Sequence, residues 1–125
     1  MSTKLHDFAH QAILGSGLTP RTATATVTGP AIDLLAGDGR CFAVQQVGSL
    51  TGSGASITGK VQESADGTTW ADVAGATFTA VISADNAQAI TFDRTQRYVR
   101  YVGTVAGSSP SIPVAVLISE QRKQL

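Results

Sequence analysis

His6 and His10 stand four residues apart with Asp7 beside them, the spacing at which two imidazoles meet on one face of a helix. Zinc normally takes three or four ligands, and the sequence holds no third histidine. The pair therefore reads as exposed helical histidines, with no metal and no other cofactor expected. A serine or cysteine hydrolase would need one of these histidines as its base. Cys41 is the single cysteine, and both histidines fall in a short terminal segment set apart from the rest, so no triad assembles. Paired catalytic carboxylates need surroundings that separate their pKa values. Asp38 and Asp66 instead precede glycine, Asp85 precedes Asn86, and Asp93 sits between Phe92 and Arg94, all positions that build turns. Glu63, at the end of an apolar run, is the exception. The expected protein is not an enzyme.

Two further patterns have a functional reading and a plainer one. Gly48 to Gly54 is as glycine-rich as a phosphate loop but lacks the Gly-Lys-Ser or Gly-Lys-Thr ending, so it reads as a flexible connection. Arg94, Arg97 and Arg100 flank Tyr98 and Tyr101, a mixture found where bases stack and also at protein interfaces. Nine basic and nine acidic residues cancel, so no net field draws a polyanion to the chain. Nucleic acid is not an expected partner, and Arg97 and Arg100 are expected at subunit contacts. Near-zero net charge also offers little protection against association. No apolar run has the length of a membrane span, and the first residues lack a secretory pattern, so no membrane partner is expected. A lone cysteine fits folding in a reducing cytoplasm.

The elements that position these residues follow from periodicity. At 125 residues the chain has the size of one domain with one core. From Lys4 to Leu14, Leu5, Phe8, Ala9, Ala12 and Ile13 recur at helical spacing, and Gly15 to Gly17 form a stop. Residues 1–20 are thus expected to be an arm, helical and hinged, too short to be stable unless it lies on another surface. Leu5, Phe8 and Ile13 are its contact residues, toward either its own domain or a neighbour.

Residues 21–125 are expected to form one β-domain. Short runs rich in Val, Ile, Thr and aromatics alternate with turn residues. They give about eight strands: Thr22 to Thr28, Ala31 to Leu35, Cys41 to Val47, Ser56 to Glu63, Trp70 to Val73, Phe78 to Ile82, Ala89 to Phe92 with Tyr98 to Val105, and Ile112 to Ser119. Turns are expected at Gly37-Asp38-Gly39 and Ser64 to Gly67, and a longer connection from Ser83 to Gln88. The spacing predicts an all-β, antiparallel sandwich of jelly-roll type. Val99, Tyr101, Gly103 and Val105 on one strand, and Ile112, Val114, Val116 and Ile118 on the last, are expected inward. Pro113 cannot donate to a ladder, which places the last strand at an edge open to a partner, or bulged near its start. Trp70 is expected to close the end of the core, with ligand stacking as the alternative.

The stretch Gly59-Lys60-Val61-Gln62-Glu63-Ser64-Ala65-Asp66-Gly67-Thr68-Thr69-Trp70-Ala71-Asp72-Val73, followed by Arg97-Tyr98-Val99-Arg100-Tyr101-Val102, resembles small bacteriophage virion proteins encoded near the major capsid gene. Ala31-Ile32-Asp33-Leu34, ahead of a strand bearing Phe42, looks like the opening strand of the same family. The resemblance spans most of Pro30 to Ser119, and the N-terminal arm is matched less clearly. It implies a head decoration protein on the capsid surface of the virion, made in the host bacterial cytoplasm. Its partners would be the major capsid protein and other copies of itself, commonly as a homotrimer. It supplies no catalytic residues. The alternatives are a carbohydrate-binding or adhesin module of a tail fibre and a tail-tube or connector subunit.

Overall fold

The computed structural model describes residues 12–83 and 85–122; Leu5, Phe8 and both histidines lie outside the described residues. Eight strands follow in order: β1 (Ala12–Ala23), β2 (Val27–Thr28), β3 (Ile32–Asp33), β4 (Gly37–Val47), β5 (Thr51–Ser64), β6 (Ala71–Thr77), β7 (Asn86–Phe92) and β8 (Tyr98–Arg122). Every pairing between them is antiparallel. The fold is the expected all-β sandwich, drawn in toward a barrel.

Its organising element is β8, whose 25 residues belong to both sheets. Tyr98 to Ser111 lies between β5 on one side and β2 and β3 on the other, with β6 beyond β5. Ile112 to Arg122 lies between β1 and β4, with β7 beyond β4. The sequence suggested two strands here, at Tyr98 to Val105 and Ile112 to Ser119. They are one, bent through Gly107 (φ 115°) and Ser109 (φ 48°) opposite Gly52 (φ 110°) and Gly54 (φ 67°) of β5. A Cβ on Gly107 would stand 2.7 Å from the Ala55 Cα, so only small residues let both backbones turn the corner together. The Gly48 to Ala55 stretch is therefore not a free loop, and from Thr51 it is paired strand.

The core fills the space between the sheets as the alternation predicted. Val99, Tyr101, Ile112, Val114, Val116 and Ile118 are buried, and Val105 packs against them. Gly59 and Gly103 are register partners on β5 and β8, and the Tyr101 ring lies across both. A Cβ on Gly59 would come within 2.6 Å of the ring, and one on Gly103 within 2.9 Å of the hydroxyl. Phe78 meets the same ring edge-on, with centroids 6.1 Å apart.

Several expectations change. Ala12 to Leu14 are strand rather than the end of a helix, and Gly15 to Gly17 lie inside β1 rather than forming a hinge. Gly17 is buried where Val116 and Ile118 need its missing side chain, and Leu18 is core, so the boundary drawn at residue 20 falls within a strand. Ile13 packs against the core of its own domain, one of the two contacts open to it. Pro113 does not mark an edge: it is paired with Thr22, and its carbonyl accepts the Gly48 N–H at 2.9 Å. The expected irregularity is present on its partner, since β1 carries an extra residue between Leu18 and Arg21. Phe78 to Ile82 is reduced to one bridge between Val81 and Ile57, and β7 begins at Asn86 inside the expected connection.

Candidate functional site

The two broad outer faces of the sandwich differ in chemistry. On the sheet ordered β1, β8, β4, β7, the register gives cross-strand rows of outward side chains. One is Leu14, Ser119, Phe42 and Thr91, with Ser119 itself buried, and the next is Ser16, Leu117, Val44 and Ala89. Ala115, Gln46 and Ala87 form a third row, and Thr22 with Pro113 a fourth. Not one of these positions carries a charge. Leu14 is 68% exposed and Leu117 48% exposed, in the middle of what a solvated sheet face would give to Lys, Glu or Thr. Pro113 opens onto a shallow concavity of about 340 Å³ at one end of this face, shared with Pro20, Arg21, Thr22 and Gln46.

The opposite face is laced with charge. Lys60 of β5 pairs with Asp72 of β6 at 3.1 Å, and Gln62 donates to the same carboxylate at 3.0 Å. These donors hold the Asp72 carboxyl below the ordinary range, the Gln62 bond foremost. Arg100 donates to Gln62 Oε1 at 3.0 Å and sets its guanidinium 4.4 Å from the centre of the Trp70 ring. Trp70 is thus a half-buried surface ring under an arginine, not the core plug expected of it. Arg97 grips Asp33 at 2.9 and 2.7 Å while lying over the Tyr98 ring. That fork, with the Leu35 N–H, lowers the Asp33 pKa to about 2 and raises that of Arg97. Both arginines assigned to contacts are therefore exposed or half-buried on this face, but each is already engaged within the chain.

The expected Ser64 to Gly67 turn is present. The Ser64 hydroxyl accepts the Gly67 N–H at 2.8 Å, and Asp66 accepts the Thr68 and Thr69 amides at 2.9 and 3.0 Å. Those two N–H groups, Thr69 first, hold the Asp66 carboxyl far below its usual value. The Ser64 and Asp66 side chains thus build the turn. Glu63 likewise spends its carboxylate on the Thr95 and Gln96 amides and the Thr95 hydroxyl.

One buried cluster unites residues far apart in the chain. Glu120 of β8 is 2% exposed, and Arg94 donates to both of its oxygens from Nε, at 3.0 and 2.8 Å. The Cys41 thiol donates to the same carboxylate at 3.1 Å. Arg94 also donates to the carbonyls of Leu34, Gly37 and Gln96, so a single guanidinium ties the β3–β4 connection, the start of β4 and the β7–β8 connection to the end of β8. Burial, reinforced by Glu120, pushes the Cys41 pKa up to about 12, leaving a thiol without nucleophilic character. The cluster clamps the end of β8. Among the described residues, no three His, Cys, Asp or Glu side chains converge as metal ligands would.

The uncharged face was missed because each strand was read for its inward residues. Its signal is nevertheless in the sequence: neither alternating set of Ile112 to Ser119 contains a charge. The same holds for Cys41 to Val47 and for Asn86 to Phe92. No family model matches this chain, and no curated protein matches it.

Proposed function

We propose that this protein is a structural subunit that packs against other protein subunits, as a decoration protein on the exterior of a bacteriophage capsid that stabilises contacts between capsomers and associates with its own copies. The observation that carries the reading is the uncharged sheet face around Leu14, Leu117, Phe42 and Val44. Faces with exposed apolar residues and no charges mark protein contacts more often than solvent surfaces. The phage-like segments add support in a coarser way: Gly59 to Val73 and Arg97 to Val102 fold into β5, its turn, β6 and the start of β8, one continuous piece of sheet.

The test is whether the protein copurifies with assembled shells in fixed stoichiometry, and whether Leu117→Glu, folded by circular dichroism, loses that binding by tenfold or more. Absence from intact particles sinks the capsid reading. Undiminished shell binding by Leu117→Glu sinks the role of this face.

A further inference from the structure

We infer that the uncharged face of one copy receives residues 4–11 of a second copy, so that the protein assembles by exchanging its N-terminal segment. The inference rests on the reading of that face as a packing surface, and it names the occupant.

Size is the first argument. Four strands spaced at about 4.8 Å and the seven residues Pro113 to Ser119 at about 3.3 Å each give a face of roughly 400 Å². A stable interface takes about 800 Å² from each partner, so two such faces laid together fall well short. A short amphipathic segment fits a face of this size, and reciprocal exchange uses the face and the segment of each copy at once, roughly doubling the contact. Identical contacts repeated by symmetry are how homo-oligomers close.

The chemistry of the segment is the second argument. Leu5, Phe8 and Ala9 recur at spacings of three and four, an apolar set interspersed with the polar Lys4, His6 and Asp7. A segment this short is not stable alone and needs an apolar surface. The uncharged face offers Leu14, Leu117, Phe42 and Val44 with no buried charge to satisfy.

Direction decides between the chain's own face and a neighbour's. Read toward lower numbers, β1 passes the Leu14 row, reaches Ala12 opposite Gln121, and there leaves the face. To return onto its own sheet the chain would have to reverse within Ala9 to Gln11. Phe8 to Ile13 contains no Gly, Pro, Asn, Asp or Ser with which to build that reversal. The sequence supplies no turn that would bring residues 4–11 back onto their own face, and the face of another copy is the occupant's place in this inference.

The test is disulfide trapping in the purified full chain carrying Phe8→Cys and Leu117→Cys, with single-cysteine variants as controls. Cys41 is fully buried, which keeps it out of the exchange. Mild oxidation is expected to give covalent dimers or larger rings on a non-reducing gel for the double variant, and only monomer for Phe8→Cys alone. Cross-links confined within monomers, or no cross-link in the double variant, overturn the inference. Sedimentation gives a second readout that needs no cysteine. At concentrations where the full chain is oligomeric, deletion of residues 1–11 and Leu117→Glu are each expected to yield monomer. A full chain that is monomeric at every concentration, or a deletion variant that remains oligomeric, overturns it too. Shell binding is measured separately, so loss of the capsid reading and loss of segment exchange are told apart.

Discussion

Arg94 holds Glu120 by its Nε at 2.8 Å from one carboxylate oxygen and 3.0 Å from the other, across 26 residues of chain. The two ends of the pair are unequal: the Arg94 side chain is 16% exposed, while that of Glu120 is 1% exposed. Removing the arginine strands a carboxylate with no route to water. Removing the acid leaves a cation that can reach it.

Arg94→Ala is therefore expected to destabilise the fold by about 3 kcal/mol or more in urea unfolding, the range for breaking a buried pair from one side. Glu120→Gln should cost less. Arg94→Lys should not restore wild-type stability, because a single ammonium cannot replace the fork that also serves the Leu34, Gly37 and Gln96 carbonyls. Equal losses for Arg94→Ala and Glu120→Gln would refute the asymmetry.

The Tyr101 hydroxyl donates to the Gln45 amide oxygen in the core, and the Gln45 amide nitrogen has no partner among the described residues. Tyr101→Phe should cost about 1–3 kcal/mol, because it leaves a buried glutamine wholly unsatisfied. Adding Gln45→Leu should recover most of that loss by removing the orphaned group. A double variant no more stable than Tyr101→Phe, by denaturant midpoint, contradicts this.

Acid should weaken the fold through Asp33 and Asp66. Both carboxyls titrate below their ordinary range in the folded protein, Asp33 at about 2 because of Arg97 and Asp66 because of the Thr69 and Thr68 amides. A depressed folded pKa contributes stability above the unfolded value, about 3.9, and that contribution is lost as pH falls toward the folded value. Stability should thus be level with respect to these groups from pH 7 to 5 and decline between about pH 4 and 2. Asp33→Asn and Asp66→Asn should each shallow that decline in a series of urea midpoints against pH.

Cys41 should resist a thiol reagent in the native protein at pH 8, since it is fully buried and its pKa stands at about 12. Labelling should appear only with global unfolding, its rate following denaturant as the unfolding equilibrium does. Fast labelling under native conditions would show that the Arg94 clamp opens locally.

What the sequence made legible was governed by period two. Val99, Tyr101, Ile112, Val114, Val116 and Ile118 were placed inward because alternation sorts a strand into faces wherever the strand lies. The Ser64 to Gly67 turn was legible because Asp66 and Gly67 carry their own local geometry. Long-range pairing was not. Gly15 to Gly17 look like a hinge, yet tertiary packing requires small residues where β1 crosses Val116 and Ile118. Pro113 looks like an edge, yet the bulge in β1 accommodates it in a flanked strand. Glu120, Arg94 and Cys41 meet across as many as 79 residues, which no local pattern encodes.

The sharing of β8 between both sheets also has a consequence for synthesis. Thr22 finds its partner at Pro113, and Ile32 at Val99, so the early strands wait for the late ones. Neither sheet can close while the ribosome still holds residues 98–122. Until then the apolar faces of the earlier strands depend on chaperones or loose collapse. Once β8 emerges, both sheets zip onto it together, and folding should be slow for the chain's size and all-or-none.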